Sequence, residues 1–78
     1  MLNTTMTEYR IYFHPAQSDT PELATIMDIR AAHMEMATNT AQAWLVMMGN
    51  KFAYCEIFEK WKSMWRSTGH RIDNTPNL

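Results

Sequence analysis

Residues 36–50 read MATNTAQAWLVMMGN: fifteen positions without a charged side chain, three of them Met, with Trp44 near the centre. A solvated segment of that length ordinarily carries charge, so most of it should be buried, inside this chain or against another. It does not read as a membrane span. It is short of the ~20 apolar residues a bilayer requires, and Thr38, Asn39, Thr40 and Gln42 interrupt it.

The whole chain has 78 residues, which makes one domain, with residues 1–6 and 70–78 expected to be mobile. A chain of this size buries only ~60–65% of its unfolded surface, so its core alone is marginal. At 46% hydrophobic and 19% charged it is not a disordered sequence. A single cysteine, Cys55, excludes an internal disulfide framework. The opening MLNTTMTEYR lacks the basic and apolar regions of a signal peptide, so cytoplasmic residence is the expectation. The net charge of −1 divides unevenly: −3 over residues 1–50 and +2 over residues 51–78. That split suits head-to-tail association or an acidic partner for the C-terminal part, and is too small to carry nucleic-acid binding alone.

Residues 7–13, TEYRIYF, alternate. Tyr9, Ile11 and Phe13 fall on one side, Glu8, Arg10 and Tyr12 on the other, as in a half-buried strand. Asp19-Thr20-Pro21-Glu22 carries the cap, the first-turn proline and the acidic residue of a helix start. From there Leu23, Ile26, Met27, Ala31, Met34, Ala37, Ala41, Trp44, Leu45 and Met48 share one helical face, which predicts a helix over 21–48 ended by Gly49-Asn50. Over 51–67, Tyr54, Ile57, Phe58, Trp61, Met64 and Trp65 fill an arc of ~120° on a helical wheel, with Trp61 at its centre. This predicts a second, amphipathic helix stopped by Gly69. The expected fold is therefore mostly α: a short strand, then a long and a shorter helix as a helical hairpin. A rival parse makes 43–58 a β-hairpin turning at Gly49-Asn50, giving an α+β chain of order β-α-β-β-α.

On the helical reading, a helix over 21–48 spans ~42 Å. A compact domain of this size is only about 30 Å across. The surplus apolar stripe, and a strand without a partner, imply a homodimer with Leu23, Met27, Met34, Trp44 and Met48 in its interface.

The residues that suit binding another molecule are Arg10, Tyr12, Lys60, Lys62, Trp65, Arg66, His70 and Arg71, which mix aromatic rings with cations. Trp and Arg are favoured anchors on protein surfaces. The same mixture serves nucleic acid by stacking and phosphate contact. Strand, helix, polar break and helix also follow the order of ribbon-helix-helix DNA-binding repressors, though only Arg10 gives the strand a cation. For catalysis there is little. His14, His33, His70 and Cys55 are scattered, no zinc-ligand spacing occurs, and two glycines leave no phosphate loop, so neither cofactor nor metal is expected. The expected function is that of a small non-enzymatic regulator or inhibitor acting by protein binding, such as a phage or mobile-element accessory factor that blocks a host machine. The alternative is a small dimeric DNA-binding regulator.

Overall fold

A computed structural model describes residues 6–15 and 25–74. Four strands and one α-helix follow in the order β1 (Thr7–Pro15), β2 (Thr25–Ala31), α1 (Met34–Met47), β3 (Phe52–Trp61) and β4 (Met64–Asp73), with a 3₁₀ turn at Gly49–Lys51. The strands form one antiparallel sheet in the spatial order β2-β1-β3-β4. The helix carries the chain across β1, and β2 and β3 flank that strand on either side.

The alternation over 7–13 is that of β1, whose Tyr9, Ile11 and Phe13 are buried. β1 is central rather than lone: Ile11 lies opposite Met27 of β2 and Ile57 of β3. Ala37, Ala41 and Leu45 of α1 close over these residues with Ala31, Phe52 and Cys55. Two alanines on the inner face let the helix settle close to the sheet, while Leu45 supplies bulk.

The helical hairpin is overturned. The helix expected over 21–48 is two elements. Its first part is β2, in which Thr25, Met27, Ile29 and Ala31 share the core side and Asp28 and Arg30 face away. Only Met34–Met47 is helical, ~21 Å long rather than ~42 Å, so no overlong helix calls for a partner. Leu23 and the cap at residues 19–22 lie outside the described residues. The polar break lies inside α1, where Thr38 and Thr40 donate their hydroxyls to the carbonyls of Met34 and Met36, both at 3.0 Å. The helix does end before Gly49, which takes φ +62°.

The second helix is also absent. Residues 52–73 form a β-hairpin whose strands pair down to Trp61 opposite Met64. The two-residue turn is Lys62-Ser63, both with positive φ (49° and 66°), the backbone pattern of a type I′ turn. Trp61, expected at the centre of a buried arc, is 46% exposed at the hairpin tip. Gly69 stops no helix. It takes φ +82° inside a bulge, where β4 slips two positions between the pairs Ile57–His70 and Phe58–Ser67. The Thr68 hydroxyl donates to the Ile57 carbonyl at 2.8 Å and accepts from the His70 amide at 3.2 Å. The α+β alternative is nearer the fold, yet its 43–58 hairpin is also wrong, because Trp44–Met47 is helix and the turn lies thirteen residues later. Asn74 ties the end of β4 to the start of β3: its side-chain amide donates to the carbonyls of Gly49 (2.6 Å) and Phe52 (2.9 Å).

Candidate functional site: the open face of the sheet

Since α1 covers one face of the sheet, the other is left without a described covering element. Pairing register places on it Glu8, Arg10, Tyr12 and His14 of β1, Asp28 and Arg30 of β2, Tyr54, Glu56, Phe58 and Lys60 of β3, and Trp65, Arg71 and Asp73 of β4. Strand alternation sends every second residue to this face, so the polar half of each strand pattern assembles into one surface.

The surface is organised rather than a scatter of solvated side chains. Tyr12 and Phe58 meet edge-to-face at 5.0 Å between ring centres. His14 stacks on Tyr54 at 4.4 Å and its Nε2 lies 2.9 Å from Glu56. The Arg10 guanidinium lies 4.3 Å from the Trp65 ring centre, and Arg71 lies 3.8 Å from that of Tyr54. The aromatic rings are half-buried by these contacts, which gives rigid, amphipathic area at low conformational cost.

Each cation on the face has a carboxylate near it. Arg10 donates Nε and Nη2 to the two oxygens of Asp28 at 2.7 and 2.9 Å. Lys60 lies 3.3 Å and Arg30 3.7 Å from Glu8, and Arg71 donates to Asp73 at 2.9 Å. The hydrogen bond to Asp28 raises the Arg10 pKa and holds the Asp28 carboxyl below its usual range. Asp73 likewise raises Arg71. Electrostatically the face is largely closed upon itself; Arg30, sharing Glu8 with Lys60 and 74% exposed, is its loosest pair.

Of the residues predicted to bind a partner, Arg10, Tyr12, Lys60, Trp65 and Arg71 come together here. Lys62, Arg66 and His70 do not. Arg66 and Lys62 bracket Trp61 at 4.6 and 4.5 Å on the hairpin tip, with Arg66 bonded to Glu59 at 2.8 Å. His70 pairs opposite the buried Ile57 on the helix side of β4 and is exposed. Sequence reasoning missed Tyr54, Phe58, His14 and Glu56 as members of the face. An alternating reading of 52–60 would have found three of them, since Tyr54, Glu56 and Phe58 recur every second residue.

The predicted dimer residues Met27, Trp44 and Met48 also converge, with Phe13, Thr25, Ile26 and Phe52, around an apolar cleft of about 210 Å³ between β2 and the end of α1. Met34 packs against the core instead. Cys55 is sealed in that core, and burial pushes its thiol up to about 11. Among the described residues no three metal-capable side chains gather, and no helix is long and apolar enough to cross a membrane. Comparisons with protein families, with curated proteins and with solved structures find no match for this chain.

Proposed function

We propose that this chain is a non-enzymatic regulatory protein that acts by binding another protein through the open face of its sheet. The observation that carries this reading is the combination of packed Tyr, Phe, Trp and Arg side chains with charges already neutralised by their neighbours. Aromatic and arginine anchors held in fixed rotamers are what protein interfaces use as hot spots. A phosphate backbone asks for the opposite: cations free to replace condensed counterions. Arg10 and Lys60, which would have to supply them, are bound to Asp28 and Glu8.

The ribbon-helix-helix form of the DNA-binding alternative does not survive the fold, because that architecture needs a second helix and residues 52–73 are a hairpin. Stacking of single-stranded nucleic acid on Tyr12, Phe58 and Trp65 is the competing use of the same face.

The test begins with capture from the native host using wild-type protein and a Tyr12→Ala, Trp65→Ala double variant, and continues with titration of the purified partner. The double variant should bind at least about thirtyfold more weakly while keeping its circular dichroism, as the loss of hot-spot anchors implies. Wild-type affinity in that variant would remove the open face from the reading. Binding to a random single-stranded oligonucleotide that falls steeply with salt would replace the protein partner with nucleic acid.

A further inference from the structure

We propose that the outer edge of β2, together with the Trp44 flank of α1 above it, is a two-fold interface with a second copy of this chain. It shares only the rim residues Asp28 and Arg30 with the open face.

β2 is an edge strand, and no described residue pairs with its outer side. An edge left open is a template for another strand, and native proteins ordinarily blunt it. The opposite edge, β4, is blunted: it carries the two-residue bulge and Gly69 in the left-handed region. A second strand could not run along β4 in unbroken register across that bulge. β2 has seven regularly paired residues and no bulge along Thr25–Ala31.

A two-fold interface brings a surface against itself, so it must be complementary to itself. β2 meets that condition in one register. Residues opposite one another in an antiparallel pair share a face, so the two-fold axis must pass through one residue and its copy. Centred on Asp28, the pairing opposes two carboxylates. Centred on Met27, it sets Ile26 against Asp28. Centred on Ile29, it sets Asp28 against the second copy's Arg30 on the open face, twice by symmetry. On the helix side it sets Met27 against Ala31 and Ile29 against itself. Opposite charges directly across a ladder are favourable and like charges are not. Arg30 is the loosest of the paired cations, 74% exposed and 3.7 Å from Glu8, and it would join Arg10 on the partly exposed Asp28 carboxylate.

The layer above agrees. An axis normal to the sheet puts both helices on the same side of a continuous eight-stranded sheet. The flank of α1 that continues outward from Trp44 holds Met36, Thr40, Ala43 and Met47 within an arc of ~100°. None is charged, so the flank does not repel its copy. Met47 is 73% and Trp44 38% exposed, with the apolar cleft between Trp44 and β2 beside them. A strand of ~23 Å beneath a helix of ~21 Å makes a patch at the small end of specific interfaces, so the pair should form at high micromolar concentration.

Sedimentation velocity from ~10 µM to ~1 mM, the range such a small interface calls for, should show the mass rise from 9.2 kDa toward twice that value. Arg30→Glu, which opposes Asp28 with a second carboxylate, and Met47→Lys should each weaken association at least about tenfold with unchanged circular dichroism. Arg66→Glu on the β4 edge should not. Ile29→Cys places two thiols at the axis, about 4.5–5.5 Å apart at Cα and within disulfide reach. Oxidation should then yield a covalent dimer, which Ser67→Cys on β4 should not. A constant 9.2 kDa at the highest concentration, a dimer undisturbed by both Arg30→Glu and Met47→Lys, or cross-linking through Ser67→Cys instead would overturn the proposal.

Discussion

The guanidinium of Arg10 on β1 lies 4.3 Å from the ring centre of Trp65 on β4, a contact made over the intervening β3. Asp28 on β2 holds the same guanidinium, so one side chain of β1 links β2 and β4 on the open face. A lysine cannot do both, because it has neither the planar fork nor the stacking surface. Arg10→Lys should therefore weaken binding of the partner about tenfold or more while moving the melting temperature by only a few degrees, since exposed ion pairs contribute little to folding. Calorimetric titration beside a thermal melt separates the two effects. A melt that collapses along with binding would show that Arg10 holds the sheet together and not the partner.

The core lies between α1 and the inner face of the sheet, and the hairpin tip is outside it. Leu45→Ala or Ile57→Ala, each emptying a fully buried position, should cost ~2–5 kcal/mol. Trp61→Ala should cost below ~1.5 kcal/mol despite the larger side chain, because the ring is 46% exposed. Urea unfolding ranks the three. If Trp61→Ala proved the most damaging, the tip would be buried in solution.

The hairpin turn carries avoidable strain. Lys62 and Ser63 both sit in the left-handed region without being Gly or Asn, at roughly 1–2 kcal/mol per ordinary residue. Ser63→Gly should raise stability by ~0.5–1 kcal/mol, the gain from steric relief exceeding the added freedom of the unfolded chain. An unchanged or lowered urea midpoint would mean that the turn is not of this type.

Cys55 makes stability depend on pH at the alkaline end. Unfolded, the thiol releases its proton near 9.0, whereas burial keeps it bound to about 11. Between those values the unfolded chain holds fewer protons than the folded one, so stability falls as pH rises past about 9, by at most ~2–3 kcal/mol at pH 11. Below pH 9 both states keep the proton and the thiol contributes no slope. Comparing wild type with Cys55→Ala over pH 8–11 isolates this contribution. Parallel curves would exclude it.

Some of this architecture is written locally. The alternation of Tyr9, Ile11 and Phe13 specifies β1 because successive strand side chains point to opposite faces, and nothing in that segment competes with the pattern. The helix end before Gly49 is also local, a left-handed position that glycine accepts at little cost. That Arg10, Tyr12, Lys60, Trp65 and Arg71 suit a binding surface can be proposed from residue type, since Trp, Tyr and Arg are interface residues before any fold is known.

The rest belongs to tertiary structure. Residues 25–31 keep helical phase with 34–48, and only pairing with β1 makes them a strand: Met27 and Ile29 find Ile11 and Tyr9 opposite, which a helix there would leave uncovered. In 52–66 the aromatic residues trace a helical arc by coincidence of spacing. Their β-propensity and the open edge of β1 decide otherwise, dividing Phe58 and Trp65 from Ile57 and Trp61 onto the two faces of the sheet. The turn at Lys62-Ser63 has neither Asn nor Gly to announce it, so the hairpin leaves no local mark. The open face itself is assembled from four strands whose order, β2-β1-β3-β4, comes from long-range pairing. A periodicity reports which residues of one segment can share a side; which segments then lie beside one another is settled by the burial and hydrogen bonding of the whole chain.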